Sequence, residues 1–176
     1  MRKIAELVDR ELKWEQPRAL KEEYELRAGE ELVATLRFRS SLGSFATAES
    51  ADGCWTFKRV GFWQTRATVR RCNEDEDIAT YKNETLSSGG LLTLADGRTF
   101  SVESNFWQTK FDFSNEAGET LIHFKADGLL HTSSTVTVGP DAVNIPELPW
   151  MMMFGWYVIV MMRQDATLAT LTVLPR

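Results

Sequence analysis

Cysteine, histidine and short catalytic motifs are scarce in this sequence. Its 176 residues include only two cysteines, Cys54 and Cys72, which excludes a framework of several disulfides. Their spacing fits no metal site, and we expect two reduced thiols in a cytoplasmic protein. The chain also has neither a Gly-x-Ser-x-Gly elbow nor a phosphate-binding Gly-rich loop. These absences disfavour an enzyme, and the sequence points to no metal or cofactor.

The sequence shows neither a long apolar run near its start nor a uniform excess of basic residues. In MRKIAELVDRELKWEQ no long apolar run precedes the charged residues, so we expect no signal peptide. The net charge of −5 argues against nucleic-acid binding. The charge is nevertheless uneven, because residues 37–71 are rich in cations and the flanking segments are acidic. The basic residues of this segment are Arg37, Arg39, Lys58, Arg59, Arg66, Arg70 and Arg71, against the acids Glu49 and Asp52.

Phe-Trp-Gln-Thr occurs twice, within residues 61–65 and 105–109, which are 44 residues apart. The same offset places Asp52-Gly53 on Asp96-Gly97, and Asp-Gly between apolar runs is a strong hairpin signal. We therefore predict repeated units of about 44 residues, with each Phe-Trp pair as a structural corner. A third unit aligns less well and would turn at Asp127-Gly128 and Ser133-Ser134.

The hairpins predict an antiparallel barrel of about twelve strands over residues 22–140. Their connections are too short for parallel crossovers, and closure is the most complete way to protect the edges of such a sheet. Alternation is clearest in ELVATLRF and the arginine that follows it. It predicts that Leu32, Ala34, Leu36 and Phe38 share one face and that Val33, Thr35, Arg37 and Arg39 share the other.

Residues 148–162, LPWMMMFGWYVIVMM, contain no charge and no periodicity. A helix that is apolar on all sides is buried either in protein or in lipid. As a helix the run is roughly 22 Å long, whereas a bilayer core needs about 30 Å, which favours burial in protein over membrane anchoring. We predict a central helix over 148–163 inside the barrel. The remaining residues, 164–176, are left as a tail or a final strand.

This combination resembles the tubby C-terminal-like superfamily, which includes tubby-like proteins, plant LURP-one-related proteins and phospholipid scramblases. The Asp-Gly hairpins, the aromatic-rich strands and PWMMMFGWYVIVMM carry the resemblance, from about Tyr24 to Arg163. It implies a twelve-stranded barrel around a hydrophobic helix and, as in tubby-like domains, phosphoinositide binding. The scramblases' acidic calcium-binding stretch is not matched, because GPDAVNIPELP contains only Asp141 and Glu147.

The N-terminal segment predicts an amphipathic helix within residues 1–16. Ile4, Leu7, Val8 and Leu12 recur at helical spacing. We expect this helix to pack against one end of the barrel.

The basic segment supplies the candidate binding residues. We predict that Lys58, Arg66, Arg70, Arg37 and Arg39 converge on the outside of the barrel and bind an anionic phospholipid or another anionic partner, which would make the protein peripheral to a membrane. Cross-strand pairing with acids such as Asp112, Glu76 or Glu49 is the alternative. The enzyme alternative depends on His123 or His131 with a carboxylate. The acidic run 74–77 is expected to be a solvated hairpin tip rather than a cation site.

Overall fold

The computed structural model describes residues 1–19, 21–61, 66–84, 89–105, 107–127 and 133–173. Its regular elements are predominantly strands, followed by one long helix. The helix α1 spans Leu148–Val173. The strands are β1 (Leu12–Glu15), β2 (Glu23–Ala28), β3 (Glu31–Phe38), β4 (Ala46–Ser50), β5 (Gly53–Val60), β6 (Arg66–Arg71), β7 (Asp77–Glu84), β8 (Gly89–Leu94), β9 (Thr99–Ser104), β10 (Lys110–Ser114), β11 (Thr120–Asp127) and β12 (Ser133–Val138).

The twelve strands form one closed antiparallel barrel. Each strand pairs with its neighbours in sequence, and β1 closes the barrel by pairing with both β2 and β12. The predicted closed antiparallel barrel of about twelve strands is confirmed, although it begins at Leu12 rather than at residue 22. Because no strand edge is left open, every strand can satisfy its backbone hydrogen bonds on both sides.

The up-and-down order gives the barrel two unlike ends. One end, here called the turn end, holds the connections 29–30, 51–52, 72–76, 95–98 and 115–119. The other, the loop end, holds the connections that precede β2, β4, β6, β8, β10 and β12. The helix α1 starts at the turn end and runs toward the loop end, since it follows β12 through residues 139–147.

The predicted hairpin turns at Asp52-Gly53 and Asp96-Gly97 are confirmed. The first lies between β4 and β5, and the second lies between β8 and β9. Gly97 has φ of 91°, a left-handed value that glycine adopts without steric cost. The predicted turn at Ser133-Ser134 is wrong, because both residues belong to β12. Most of the repeated FWQT motif, including residues 62–65 and 106, lies outside the described residues.

The alternation predicted for β3 is broken by a β-bulge. Leu26 pairs with Ala34 and Arg27 pairs with Leu32, so Val33 is an extra residue in β3. Val33 is fully buried and Leu32 is only half-buried, which reverses the faces predicted for these two residues. Beyond the bulge Ala34, Leu36 and Phe38 are buried and Arg37 and Arg39 are exposed, as predicted, whereas Thr35, which was predicted on the same face as the arginines, is buried as well.

The predicted N-terminal helix is wrong. Only Ile4–Glu6 form a single 3-10 turn, and Leu12–Glu15 is the strand β1. Ile4 and Leu7 are nonetheless fully buried, and the backbone N–H of Ile4 donates to Asp52 Oδ2 at 3.0 Å. The apolar residues were therefore assigned correctly to the core, but their spacing does not come from a helix.

The helix α1 is longer than predicted and has a buried half and an exposed half. Trp150, Met161 and all residues between them are buried, whereas residues 165–170 are exposed. Residues after Arg163 continue the helix to Val173 and form no strand. The change from buried to exposed coincides with the first charged residue after the apolar run.

Aromatic residues from strands around the barrel contact the buried half of α1. Trp156 stacks on Trp14 of β1, with ring centroids 5.9 Å apart. Tyr157 stacks on Phe38 of β3 at 5.6 Å. Further strands contribute in the same way: Tyr24 of β2 contacts Trp156, Phe57 of β5 contacts Phe154 and Tyr157, and Tyr81 of β7 contacts Phe154.

Cys54 and Cys72 form a disulfide, contrary to the expectation of reduced thiols. Their Cα atoms are 5.4 Å apart, and the N–H of Cys72 donates to the carbonyl of Cys54. Sequence spacing did not reveal this pair because it depends on the register between β5 and the residue that follows β6. Disulfides persist mainly in oxidising compartments, so this bond counts against the predicted cytoplasmic location.

Candidate anionic-surface interface

The five predicted binding residues lie on neighbouring elements but do not form one cluster of unpaired charges. Arg37 donates to Glu49 at 3.1 Å, and Arg70 forms an ion pair with Asp77 at 2.5 Å. The alternative of cross-strand pairing therefore holds for these two arginines. For Arg70 the partner is Asp77 rather than Glu76. These contacts leave less of the charge of Arg37 and Arg70 available to a ligand.

Lys58, Arg66 and Arg39 are exposed and have no ion pair within the described part of the chain. Arg39 lies over the ring of Phe45, with its guanidinium carbon 5.4 Å from the ring centroid. Lys58 pairs in register with Thr68, which is two residues from Arg66 on the same strand. All three cations lie toward the loop end.

A cation that the sequence analysis missed lies directly opposite Arg66. Lys82 of β7 is its register partner, and both side chains are exposed. Like charges that are directly opposite on neighbouring strands destabilise a sheet. Lys82 has no ion pair among the described residues either, and Glu84 lies two positions further along the same strand. The pair was missed because Lys82 lies outside the basic segment 37–71.

A second like-charge pair occurs on the other side of the barrel. Lys110 of β10 is in register with Lys125 of β11, and both are exposed. Neither forms an ion pair in the part of the chain that the structure describes. Both like-charge pairs lie in the half of the barrel nearer the loop end.

Exposed charge is divided between the two ends of the molecule. Exposed cations toward the loop end are Arg18, Lys21, Arg39, Lys58, Arg66, Lys82, Lys110 and Lys125. Exposed acids toward the turn end are Glu30, Glu74, Asp75, Glu76, Asp96, Glu116, Glu119 and Asp141, whereas Glu84, Glu103 and Asp165 are exposed toward the loop end. The turn end also has exposed cations: Arg2, Arg10 and Arg98 are ion-paired there, and Lys3 and Arg71 have no ion pair within the described residues. The loop end is therefore the better surface for an anionic partner.

The acidic run 74–77 is located in and beside the β6–β7 turn. Glu74, Asp75 and Glu76 are exposed, and Asp77 begins β7. No group of three or more metal-ligating side chains suited to an ion is found among the described residues.

His123 lies on the outer face of β11 and is partly buried. Its Nδ1–H donates to Asp112 Oδ1 at 2.5 Å from the neighbouring strand. This is the histidine–carboxylate pair that the enzyme alternative requires, but neither residue lines the cavities beside Trp55, Arg66, Leu91 or Leu148. The other candidate, His131, lies outside the described residues.

The cavities near the two barrel ends also bear on the kind of ligand. At the turn end a cavity of about 380 Å³ is lined by Asp52, Asp96 and Glu147 among others, a poor environment for an anion. Beside Arg66 a cavity measures only about 30 Å³, and Met161 and Met162 of α1 occupy the neighbouring space. The barrel interior next to the basic surface is thus filled, and an anion would be held on the outside.

Two further arginines lie where α1 leaves the barrel. Arg59 forms a bidentate contact with Asp165, at 2.8 and 2.7 Å. Arg163 lies over the Trp156 ring, 4.9 Å from its centroid, and burial lowers the pKa of its guanidinium to about 10. Arg59 is therefore ion-paired, whereas Nη2 of Arg163 is buried without a hydrogen-bond partner among the described residues.

Comparison with protein-family models, with curated proteins and with solved structures finds no match for this chain. Within the described residues, no helix has both the length and the apolar composition that a membrane crossing requires.

Proposed function

We propose that this protein is a non-enzymatic binding module that engages anionic phospholipid head groups, such as those of phosphoinositides, through the exposed cations of its loop end. Its principal binding residues are Arg66, Lys82 and Lys58, with Arg39 at the edge of the same surface. Arg37, which is ion-paired, has a secondary role, and Arg70, which is ion-paired near the turn end, has none.

The observation that carries this proposal is the Arg66–Lys82 register pair. Two cations face each other across neighbouring strands, and neither has an acidic partner among the described residues. An anion bound between them would replace mutual repulsion with two charge-assisted hydrogen bonds. A phosphorylated head group fits this chemistry, because guanidinium and ammonium groups are both good phosphate ligands.

The shape of the surface favours a head group over a small metabolite. Arg66 and Lys82 are on the convex outside of the barrel, and the cavity beside Arg66 is about 30 Å³. Small-molecule sites are usually concave and several hundred cubic ångströms in volume. A membrane needs no such cavity, since each cation near its surface contributes about 1 kcal/mol through the surface potential.

We further propose that the chain is a distant member of the tubby C-terminal-like superfamily, with the buried half of α1 inside the barrel. Twelve antiparallel strands followed by one apolar helix support this assignment. So do the contacts of Trp156, Tyr157 and Phe154 with strands on several sides. The three-unit repeat and the cytoplasmic location stay predictions, and the disulfide counts against the latter.

The proposal is tested by sedimentation with phosphatidylcholine vesicles that do or do not contain an anionic lipid. At low salt we expect binding only to the anionic vesicles, with loss of binding as salt increases. The double variant Arg66→Glu/Lys82→Glu should abolish it. Arg71→Glu is the matched control, because Arg71 is exposed on the same strand β6 but near the turn end. Equal loss with the control, or no binding by the wild type, would refute the proposal.

A further inference from the structure

Large apolar side chains are exposed at the same end as the cations. Leu42, in the β3–β4 connection, is 89% exposed, and Trp107, in the β9–β10 connection, is 75% exposed. Both connections belong to the loop end. Among the tryptophans that the structure describes, Trp107 is the one exposed to solvent, since Trp14, Trp55, Trp150 and Trp156 are buried.

Each like-charge pair has an exposed apolar residue beside it. Leu91 of β8, which is 40% exposed, is the register partner of Lys82. Trp107 precedes Lys110 by three positions, and an Asn105 side chain accepts hydrogen bonds from the N–H groups of Thr109 and Lys110 in this connection. Exposed apolar side chains thus lie next to cations on this surface. This pattern is typical of groups that enter the interfacial region of a bilayer while cations bind the head groups.

The distance between Leu42 and Trp107 favours a broad, flat partner. In the order of strands around the barrel, the β3–β4 and β9–β10 connections are half a circumference apart. Twelve strands about 4.8 Å apart and tilted as in other barrels give a diameter of roughly 20–25 Å. A membrane surface is broad enough to contact Leu42 and Trp107 at once, together with the cations that lie between them around the barrel.

We infer that the loop end docks onto an anionic bilayer, with Trp107 and Leu42 entering the interfacial region and the acidic turn end facing away. The inference rests on the proposed function and adds to it the orientation of the protein and an apolar component of binding. Trp107 suits this position, because an indole combines a large apolar ring with a polar N–H and is favoured at membrane interfaces. Leu42 contributes apolar area that water would otherwise surround.

The experiment measures tryptophan fluorescence with anionic vesicles whose acyl chains carry bromine, a contact quencher. For the wild type we expect quenching on binding, and Trp107→Phe should remove most of this quenching while changing the affinity by less than about threefold. The double variant Leu42→Ser/Trp107→Ser should lower vesicle affinity by about tenfold, because polar side chains replace both apolar ones. Leu42→Met is the matched control and should leave affinity within about twofold. Both substituted residues, Leu42 and Trp107, are exposed in the wild type, and unchanged thermal unfolding of the variants checks folding.

The outcomes separate this inference from the proposed function. If the wild type binds anionic vesicles, but shows no quenching and keeps its affinity in the double serine variant, the docking inference is overturned and head-group binding by the cations stands. If Arg66→Glu/Lys82→Glu also leaves that binding unchanged, the proposed basic surface is wrong as well. Quenching together with the tenfold loss supports the inference.

Discussion

Gly155 lies in the buried half of α1 at a point where the helix meets β10 and β11. A Cβ atom at this position would come within 3.0 Å of Phe113 and closer still to the ring of Phe124. A glycine inside a helix lowers its stability by about 1 kcal/mol relative to alanine. The space that the two rings need is the physical reason for a glycine at this position. A glycine within the apolar run 148–162 is visible in the sequence, but the two phenylalanines that approach it are not.

Gly155→Ala should lower the free energy of unfolding by about 1–2 kcal/mol, even though alanine favours the helix. The extra methyl group has to displace the rings of Phe113 and Phe124, and overpacking of this kind costs about 1–3 kcal/mol. Urea unfolding followed by circular dichroism measures the change. The control Ala166→Gly, on the exposed part of α1, reports helix propensity alone. A Gly155→Ala protein as stable as the wild type would contradict close packing of the helix against these strands.

The cations show which side chains can be assigned from sequence and which cannot. Arg37, Arg66 and Lys58 were correctly expected on the outside, because alternation along one strand is visible in the sequence. The partner of each cation was not visible, because it depends on the register between two strands. The register brings Arg37 within ion-pair distance of Glu49 and places Lys82 opposite Arg66.

At the scale of the elements, β-bulges and one disulfide modify the regular pairing of the strands in the barrel. Register shifts occur within the β2–β3, β6–β7 and β10–β11 pairs. Such shifts are not encoded in apolar alternation, which is why Leu32 and Val33 were assigned to the wrong faces. The Asp-Gly turns were predicted correctly, because their local sequence fixes their conformation. The N-terminal segment shows the opposite case: its apolar residues recur at helical spacing because they are buried, and not because they form a helix.

The Cys54–Cys72 disulfide should contribute about 3 kcal/mol to the stability of the barrel. It joins residues separated by 18 positions, and the loss of chain entropy in the unfolded state scales with the length of that loop. Cys54→Ser/Cys72→Ser should therefore unfold at a lower urea concentration than the oxidised wild type.

Reducing agent supplies the control for this prediction. It should lower the stability of the wild type to that of the double serine variant and leave the variant itself unchanged. If the wild type unfolds at the same urea concentration with and without reducing agent, the disulfide has no stabilising role in the protein.

For the molecule as a whole, the closed barrel was predictable and its polarity was not. Short hairpin connections imply an antiparallel meander, and about twelve strands followed by an apolar helix suggest closure. The basic segment 37–71 was also visible in the sequence. The position of this segment relative to the acids was not visible. Successive connections lie at opposite ends of the barrel, so the fold places Glu74, Asp75 and Glu76 at one end and Arg66 and Lys82 toward the other.

The polarity predicts a single orientation on an anionic membrane. Exposed cations and the apolar residues Leu42 and Trp107 lie toward one end, and most exposed acids of the connections lie at the other. An anionic surface attracts the first end and repels the second, over distances of about a Debye length. The strands would then run away from the membrane plane rather than along it.

The most direct test places a spin label at either end and measures its accessibility on anionic vesicles. Ser41 at the loop end and Ala117 at the turn end are both exposed, and the native cysteines are joined to each other, so single-cysteine variants can be labelled at one site. On binding, we expect the label at residue 41 to lose contact with a water-soluble relaxation agent and to gain contact with oxygen in the bilayer. The label at residue 117 should not change. Protection of residue 117, or equal accessibility of both labels before and after binding, would contradict docking by the loop end.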